Sequence, residues 1–237
     1  MIRQTLRLRG LSHRGRSDRF QRGDAEQETG PMSKTGYEKM VSGELYAGPD
    51  WDLIELQVEA RKKLDRLNAV PNWDMANRTA MFRDQLGSFG DSFVLSPVTW
   101  EYGKHIHIGE GVFINFECVF LDGAEVRIGD GTAIAPRVMF LTAGHPVDPH
   151  ERERRDPKTG KLIGAQCINK PISIGKHCWI GAGTIIVGGV SIGDGTTIGA
   201  GSVVTRDTPA GVLAAGNPCR VIRKADAKPM RQAANAA

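Results

Sequence analysis

The carboxyl-terminal half of the chain repeats its apolar residues with a period of six. One series of aliphatic residues runs through Ile174, Ile180, Ile186, Ile192, Ile198 and Val204. Four places after the aliphatic residues, small or β-branched residues form a second series of Cys178, Thr184, Val190, Thr196 and Ser202. Neither a helix, with about 3.6 residues per turn, nor a strand, which alternates at every second residue, has this period.

The period predicts a prism built from short strands. Each six-residue unit supplies one strand and one turn, three units close a coil, and coils stack through parallel backbone hydrogen bonds. The aliphatic residues then form a column inside the prism. Gly and the pairs Asp130-Gly131 and Asp194-Gly195 suit its sharp corners, where the backbone needs a positive φ or has no room for a Cβ atom. We therefore expect a mainly β fold, a parallel β-helix.

An earlier array has the same period with one slip of two residues. Its members are Ile108, Ile114, Phe120 and Val126 before the slip, and Ile128, Ile134 and Phe140 after it. The segment from Leu141 to Ser173 separates the two arrays and breaks the period, so we expect it to leave the prism as a loop. Excursions from a rigid scaffold frequently hold functional residues, which makes this segment the first place to search for chemistry.

The pattern before the arrays is helical. A first helix is predicted from Asp50 or Asp52, as its N-cap, to a stop at Pro71, and a second helix over residues 77–86. The apolar face of the first helix is predicted to contain Leu53, Leu56, Val58, Ala60, Leu64 and Leu67. Because so few residues cannot form a core alone, we expect the helices to pack across one end of the prism and cover its first coil.

The predicted domain organisation follows these changes of pattern. Residues 1–31 show little apolar periodicity and are predicted to form a disordered extension. A helical cap is expected over residues 32–90 and the β-helix over residues 91–224. The remaining residues, 225–237, are rich in Ala, Lys and Gln and are predicted to form a flexible tail.

The formal net charge of +4 comes mostly from the first 31 residues, which hold seven Arg and four acidic residues. The rest of the chain has 24 basic and 23 acidic residues, a balance that argues against a nucleic-acid-binding protein. No stretch is long and apolar enough for a membrane span, and the Arg-rich start lacks the apolar core of a secretory signal. An organelle transit peptide in this start is left as an alternative. The four Cys are scattered without a CxxC pair, which is typical of reduced thiols in a cytoplasmic protein.

The excursion between the arrays begins with a candidate catalytic histidine, His145. The residue lies between Gly144 and Pro146, an arrangement that restricts the backbone while leaving the ring accessible. Imidazole titrates near neutral pH, so it can accept a proton from a hydroxyl group. From these residues alone, an ordinary solvated loop histidine is the alternative interpretation.

Six segments elsewhere in the chain form an ordered set. They are MVSGELY (40–46), YGKHIHIG (102–109), NF (115–116), GHPV (144–147), WIG (179–181) and AAGNPCRVI (214–222). In this order they resemble the maltose and galactoside O-acetyltransferases and the nodulation acetyltransferases, a branch of the hexapeptide-repeat acyltransferases. The resemblance runs from about Tyr37 to Lys224 and implies a left-handed β-helix that forms a homotrimer. It also implies that acetyl-CoA, a co-substrate and not a tightly bound cofactor, donates an acetyl group to a hydroxyl of a small acceptor, expected to be a sugar.

The resemblance also implies roles for individual residues. His145 would be the general base that deprotonates the acceptor, and the Asn115 amide or a backbone N–H near Ala182 would stabilise the charge that develops on the acetyl oxygen. The acceptor is expected to contact Glu101, Asn115, Asp122 and Trp179. Coenzyme A is expected to contact Trp179, Ala182, Ala200, Thr205, Arg206, Arg220 and Arg223.

The chain departs from this family where the family binds its sugar. Ala47 stands where Asp is common, Gln57 where the family has an Arg, and Glu101 where Asp or Ser is usual. The loop segment 151–169 is also longer than in compact members. The acceptor class therefore stays open, and a xenobiotic acetyltransferase that modifies an antibiotic is the alternative closest in chemistry.

Two further functions are alternatives to an acetyltransferase. His145 and His150 have H-x4-H spacing, and γ-type carbonic anhydrases bind zinc on the same fold. A third ligand would have to come from His105, His107 or His177, and the pair spans two prolines in a loop, so no metal site is expected. A non-catalytic scaffold would keep the prism but would not need the His145 segment or Trp179.

Overall fold

A computed structural model of the chain describes residues 34–225. The predictions made for residues 1–31 and for the end of the tail lie outside the described residues. Within them the chain forms four helices, α1 (Gly36–Ser42), α2 (Trp51–Ala69), α3 (Met75–Gln85) and α4 (Pro149–Arg152). None of these four helices is long and apolar enough to span a bilayer. The other regular elements of this range are short strands, so the fold is mainly β, as predicted.

Three sheets form the faces of a prism, which we name faces A, B and C. Face A consists of β4 (Val98–Trp100), β7 (Cys118–Leu121), β10 (Met139–Leu141), β16 (Ile185–Val187) and β19 (Val203–Val204). Face B consists of β2 (Ser88–Phe89), β5 (Ile106–Ile108), β8 (Val126–Ile128), β14 (Ile172–Ile174) and β17 (Ser191–Ile192). Face C consists of β3 (Phe93–Val94), β6 (Phe113–Ile114), β9 (Ala133–Ile134), β15 (Trp179–Ile180), β18 (Thr197–Ile198), β20 (Val212–Ala215) and β21 (Arg220–Lys224). From β2 to β19 the strands visit faces B, C and A in turn, which is the predicted β-helix.

The interior of the prism contains the residues that the six-residue period singled out. Every member of both aliphatic arrays is buried, and so are the small residues of the second series. The rings of Phe120 and Phe140, on successive coils of face A, stack with their centroids 4.6 Å apart. The hydroxyls of Thr184 and Thr196 donate to backbone carbonyls over 2.7 Å, which offsets the cost of burying these polar groups.

The corners of the prism explain the glycines of the repeat. A Cβ atom on Gly181 would lie 2.4 Å from the backbone nitrogen of Ala200 on the next coil, so a larger residue does not fit there. Gly183 and Gly201 have φ values of 67° and 69°, in the left-handed region that favours glycine. Glu117 has the same conformation at φ 60° without being a glycine.

Helix α2 begins and ends where the sequence predicts, but its buried face is narrower. The carboxylate of Asp50 caps the helix by accepting from the N–H groups of its first turn, and the helix ends before Pro71. Leu53, Leu64 and Leu67 are buried, as predicted. Leu56 and Val58, which were predicted on the same face, are 47% and 46% exposed, because α2 covers the prism with one side.

Helix α3 attaches the cap to the first coil. The guanidinium of Arg78 donates to the carbonyl oxygens of Val70 and Val94 and to the hydroxyl of Ser96, each over 2.9 Å. Phe82 of the same helix packs against Trp100 of face A within the core of the prism. The cap and the prism therefore share one core, and the first strand of the prism, β2, already lies within the range predicted for the cap.

The excursion between the arrays is more ordered than the predicted loop. β11 (Ala143–Gly144) and β12 (Glu153–Arg155) pair antiparallel with β13 (Leu162–Asn169), and β13 also pairs with β1 (Tyr46–Gly48) of the cap. The predicted ends are wrong by a few residues, because Leu141 belongs to β10 and Ser173 to β14. Strand pairing satisfies backbone N–H and C=O groups that an irregular loop would leave to water, which favours a sheet in this segment.

Candidate active site

His145 follows β11 directly and is held by the strand that crosses it. β11 pairs with β13 through Gly144 and Ile168, and the ring Nδ1 of His145 lies 2.7 Å from the carbonyl oxygen of Gln166 in β13. A carbonyl oxygen can only accept, so in the neutral imidazole this contact places the proton on Nδ1 and leaves the lone pair on Nε2. The His145 side chain is exposed, so Nε2 is accessible to a substrate. This geometry prepares the ring to accept a proton.

Asp122 lies beneath the turn that contains Glu101. Its carboxylate is 0% exposed and accepts from the backbone N–H groups of Glu101, Tyr102 and Gly103, at 2.9, 3.0 and 2.7 Å. These three bonds occupy both oxygens of Asp122. The structure therefore gives Asp122 the role of fixing this turn, while the predicted direct contact between Asp122 and an acceptor stays a prediction.

Glu101 lies in a polar cluster between the cap and the excursion. The Gln57 amide of α2 donates to the Glu101 carboxylate over 3.4 Å and to the Tyr102 hydroxyl over 3.1 Å. Burial and the neighbouring charge of Asp122 raise the pKa of the Glu101 carboxyl to about 7, while Arg61 opposes this increase. Gln57, at the position where the resemblance implies an Arg, therefore joins α2 to Glu101 and Tyr102.

Tyr46 joins the same cluster from strand β1. Its hydroxyl accepts from the side-chain amide of Asn169 over 3.0 Å, and burial raises the pKa of the phenol to about 12. Burial also raises the pKa of the neighbouring Cys167 thiol. These groups stay uncharged near neutral pH, so this part of the cluster offers hydrogen bonds and not ion pairs.

Asn115 and Trp179 belong to other parts of the prism, after β6 and in β15 of face C. Trp179 belongs to β15 of face C and is 59% exposed, as its outward position in the repeat predicts. Asn115 follows β6 at the edge between faces C and A, and its amide oxygen accepts from the N–H of Phe116 over 2.8 Å. This bond directs the amide NH₂ group, a hydrogen-bond donor, to other partners.

The residues predicted to bind coenzyme A divide between two edges of the prism and one end. Ala182 and Ala200 are exposed at the edge between faces C and A, the edge that holds Asn115, and the N–H of Gly201 donates to the Ala182 carbonyl over 2.8 Å. Thr205 and Arg206 are exposed after β19, at the edge between faces A and B. Arg220 and Arg223 lie on β21, which pairs antiparallel with β20 on face C.

One copy of the chain does not bring the predicted site residues to one place. His145 leaves the prism after β10, at the edge between faces A and B, where Thr205 and Arg206 also lie. Asn115 and Ala182 lie at the edge between faces C and A. The predicted site residues of one chain therefore lie at the two opposite edges of face A.

The outward residues of the three faces differ in polarity. On face A the aligned outward positions are Thr99, Val119, Met139, Ile185 and Val203. On face C they are Phe93, Phe113, Ala133, Trp179, Thr197 and Leu213. On face B they are Ser88, His107, Arg127, Ser173 and Ser191. Faces A and C are thus largely apolar, as in protein interfaces, and face B is polar, as on a surface in contact with water.

The chain also contains a large cavity, which lies away from His145, Asn115 and Trp179. It has a volume of about 440 Å³ and lies between α2 and the first coil, where Tyr37, Leu56, Trp100 and His105 line it. His145, Asn115 and Trp179 do not line it. The cavity does border the polar cluster through Tyr102.

The histidine pair considered for zinc does not form part of a metal cluster within one chain. His145 uses Nδ1 to bind the Gln166 carbonyl, and His150 lies in the exposed helix α4. Among residues 34–225, no group of three or more His, Cys, Asp or Glu side chains is arranged to hold a metal ion.

Sequence reasoning missed two contributors to the site. Gln166 acts through its backbone carbonyl, and its side chain gives no signal because any residue at that position supplies the same oxygen. Tyr46 belonged to a quoted motif but had no assigned role, because its contact with Asn169 joins residues 123 positions apart. Both contacts involve β13, whose pairing with β11 and with β1 the sequence pattern did not predict.

Comparisons with known proteins agree with this architecture. The maltose acetyltransferase hexapeptide capping motif matches residues 39–90, and the hexapeptide repeat of succinyl-transferase matches residues 171–206. Nodulation protein L of Rhizobium meliloti (strain 1021) is 45% identical over 192 residues, which cover 80% of this chain and 99% of that protein.

Solved structures of similar proteins have the same fold. A maltose O-acetyltransferase from Clostridium difficile 630 aligns with a TM-score of 0.72 at 38% identity, over 81% of this chain and 97% of that one. A galactoside acetyltransferase in complex with coenzyme A aligns with a TM-score of 0.72 at 34% identity, over 82% of this chain and 92% of that one. The chain therefore belongs to the hexapeptide-repeat acetyltransferases of the maltose and galactoside O-acetyltransferase type, and its prism is a left-handed β-helix.

Proposed function

We propose that this protein transfers an acetyl group from acetyl-CoA to a hydroxyl of a sugar or a related small acceptor, with His145 as the general base. The observation that carries the proposal is the hydrogen bond from His145 Nδ1 to the Gln166 carbonyl, 2.7 Å long, because it makes Nε2 the proton-accepting nitrogen of the neutral ring in an exposed side chain. A general base needs both properties.

The proposed reaction is a direct transfer without a covalent enzyme intermediate. His145 Nε2 removes the hydroxyl proton as the acceptor oxygen forms a bond to the thioester carbonyl carbon. The carbonyl oxygen of the tetrahedral intermediate becomes negative and is stabilised by the Asn115 NH₂ group or by a backbone N–H near Ala182. The carbon–sulfur bond then breaks, and the protonated His145 returns its proton to the coenzyme A thiolate. The products are the acetyl ester and free coenzyme A.

The site is proposed to form between copies of the chain in a homotrimer. Support comes from the apolar outward residues of faces A and C and from the location of His145 and Asn115 on different edges of one prism. In a closed ring each copy presents face A to face C of the next copy, a head-to-tail arrangement that buries both faces. His145 of one copy then meets Asn115 and Trp179 of its neighbour.

Coenzyme A is proposed to lie along this junction. Small residues at Ala182 and Ala200 leave room for the narrow pantetheine arm, and Thr205 lies at the other edge of face A. Arg206, Arg220 and Arg223 are exposed cations suited to the phosphates of coenzyme A. In support, one similar acetyltransferase has been solved with coenzyme A bound. No tightly bound cofactor is required for this chemistry.

The acceptor is proposed to bind beside Glu101, with Asn115 and Trp179 contributed by the neighbouring copy. Maltose and galactoside acetyltransferases among the similar proteins favour a sugar. The hydrogen-bonding groups of Gln57, Tyr46 and Tyr102 suit a polyhydroxylated molecule. We also propose a reducing compartment such as the cytoplasm, because the four cysteines are free.

The proposal is tested by measuring coenzyme A release from acetyl-CoA with a panel of mono- and disaccharides, amines and hydroxyl-bearing antibiotics. We expect release with at least one sugar and slower release with the antibiotics and amines. If coenzyme A is released with an antibiotic and with no sugar, the acceptor is an antibiotic and the xenobiotic alternative is correct. Failure to bind acetyl-CoA, measured by calorimetry, would reject the acetyl transfer itself.

A further inference from the structure

Arg152 reaches back from helix α4 to the turn that follows His145. Its guanidinium Nη1 donates to the carbonyl oxygens of Pro146 and Val147, at 3.3 and 3.2 Å. Asp148 is the N-cap of α4 and accepts from the backbone N–H of Arg152 over 2.9 Å. Residues 146–152 therefore form a closed loop whose two ends are joined by one arginine side chain.

The other restraints on His145 act on its ring and on the residues before it. The pairing of Gly144 with Ile168 fixes the chain that enters His145, and the Gln166 carbonyl fixes the ring. The turn on the other side of His145 has little packing, because the side chain of Val147 is 93% exposed. The guanidinium of Arg152 thus supplies a restraint that hydrophobic contacts do not supply.

We infer that Arg152 is a positioning residue that holds the His145 ring in its proton-accepting orientation, an inference that rests on the proposed role of His145 as general base. Without its two hydrogen bonds, Pro146 and Val147 gain freedom, and the His145 backbone can rotate. The bond from His145 Nδ1 to the Gln166 carbonyl is then made for a smaller fraction of the time. Loss of that bond allows the proton to move to Nε2, where it blocks the base.

The neighbouring arginines have different partners and offer a matched control. Arg154 donates to the Gly48 carbonyl over 3.3 Å and so attaches β12 to the cap. Arg155 pairs with the Glu153 carboxylate over 2.5 Å and donates to the Gly160 carbonyl over 3.1 Å. Neither partner of Arg155 belongs to the turn at Pro146 and Val147. Arg155 therefore tests what removal of an arginine from this segment does when the hydrogen bonds of that turn are kept.

The experiment compares Arg152→Met, Arg152→Lys and Arg155→Met with the parent protein. For Arg152→Met we expect kcat to fall roughly ten- to a hundredfold, as for a catalytic group displaced by about 1 Å. The KM for acetyl-CoA should stay within about twofold, since the restraint acts on the base. Arg152→Lys should recover part of kcat, because an ammonium can donate to one or both carbonyls without the rigid fork of a guanidinium. Arg155→Met should keep kcat within about twofold.

The signature that separates positioning from mere folding is the tautomer of the His145 ring, measured by ¹⁵N NMR of the imidazole nitrogens above neutral pH. We expect Nδ1 to be protonated in the parent and in Arg155→Met, and both nitrogens to be partly protonated in Arg152→Met. A parental kcat or a parental tautomer in Arg152→Met would overturn the inference. If Arg152→Met does not fold, the same comparison is made with Arg152→Lys, and parental values there overturn the inference. These outcomes are distinct from failure of the proposed function, which would appear as undiminished turnover in a variant that lacks His145.

Discussion

His145 and Ala47 are linked through a single residue of strand β13. The carbonyl of Gln166 accepts from the His145 ring, and Gln166 is the partner of Ala47 in the pairing of β13 with β1. The strand that holds the histidine ring is therefore itself paired with a strand of the cap, nearly a hundred residues before His145 in the chain. The cap does more than cover the end of the prism, since it also completes the sheet that orients the histidine.

Replacing His145 by Ala should abolish most of the activity. We expect kcat to fall about a hundredfold or more, as is typical for loss of a general base, with coenzyme A affinity nearly unchanged. The variant should fold normally, because the His145 side chain is exposed. Steady-state kinetics and calorimetric titration with coenzyme A measure the two effects. His150→Ala is the matched control, since it removes a histidine of the same exposed segment, and it should keep parental kcat.

His145 and His150 also give an expectation about zinc. Chelator should leave the parental rate unchanged. If activity is lost on chelation and returns with zinc, or if turnover persists in His145→Ala, the general-base mechanism is wrong.

Glu101 should make the stability of the protein depend on pH. Its pKa in the folded protein, about 7, exceeds the ordinary value of 4.5, so the folded protein binds the proton more tightly than the unfolded chain does. This stabilisation is complete below about pH 4.5 and is lost as the pH rises through about 7. Glu101→Gln imitates the protonated form, so it should melt at a higher temperature than the parent at pH 8 and at nearly the same temperature at pH 5.

Thermal unfolding followed by circular dichroism across this pH range measures the difference between the two proteins. Glu55→Gln, which changes an exposed carboxylate on α2, is the control and should show little difference at either pH. An equal effect of Glu101→Gln at pH 5 and pH 8 would contradict the raised pKa.

Asp122→Asn should destabilise the protein and weaken acceptor binding. Both carboxylate oxygens of Asp122 accept from backbone N–H groups in a fully buried site. The asparagine has only one such oxygen, and its NH₂ group would face a backbone N–H, which is also a donor. Loss of hydrogen bonds to a buried charged group costs roughly 2–3 kcal/mol. Because the turn that holds Glu101 loosens, the KM for the acceptor should rise while the KM for acetyl-CoA stays close to parental.

Chemical denaturation and initial-rate kinetics measure both effects of Asp122→Asn. Asp130→Asn is the control, because its carboxylate lies at a partly exposed corner of the prism and pairs there with Lys176. We expect this control to change stability by less than about 1 kcal/mol. A similar loss in the two variants would show that burial of Asp122 has no special importance.

Much of the prism could be predicted because its period is a local property of the sequence. Each six-residue unit contributes one strand with one inward aliphatic position. Ile180 and Ile186 occupy this position in successive units, so the spacing alone predicts that both are buried. The excursion could not be predicted in the same way. Its sheet joins β13 to β1, which lies far away in the sequence, and neither strand alternates apolar and polar residues strongly enough to reveal the pairing.

The site was predictable as a set of residue types but not as a geometry. The exposure of Trp179 could be predicted because Trp179 directly precedes Ile180, whose side chain points into the prism. The burial of Asp122 could not be inferred, because the sequence does not show whether a carboxylate faces a ligand or a backbone turn. Leu56 was expected in the core for its apolar side chain, and its exposure results from how α2 lies on the prism, which helical periodicity does not determine.

The proposed trimer can be tested by placing a charge on one face of the prism at a time. Ile185 lies between Met139 and Val203 in the outward ladder of face A, so Ile185→Lys puts an ammonium into the proposed interface. Burying an unpaired charge there costs several kcal/mol, whereas in the separate chain the lysine is free to reach water. We expect Ile185→Lys to be a folded monomer by light scattering and circular dichroism. It should have little activity, because His145 then lacks Asn115 and Trp179 of a neighbour. Ser191→Lys, which adds the same charge to the polar face B, should remain a trimer with parental kcat. A trimeric and active Ile185→Lys protein would show that face A is not an interface, whereas a monomeric protein with parental kcat would show that the site is complete within one chain.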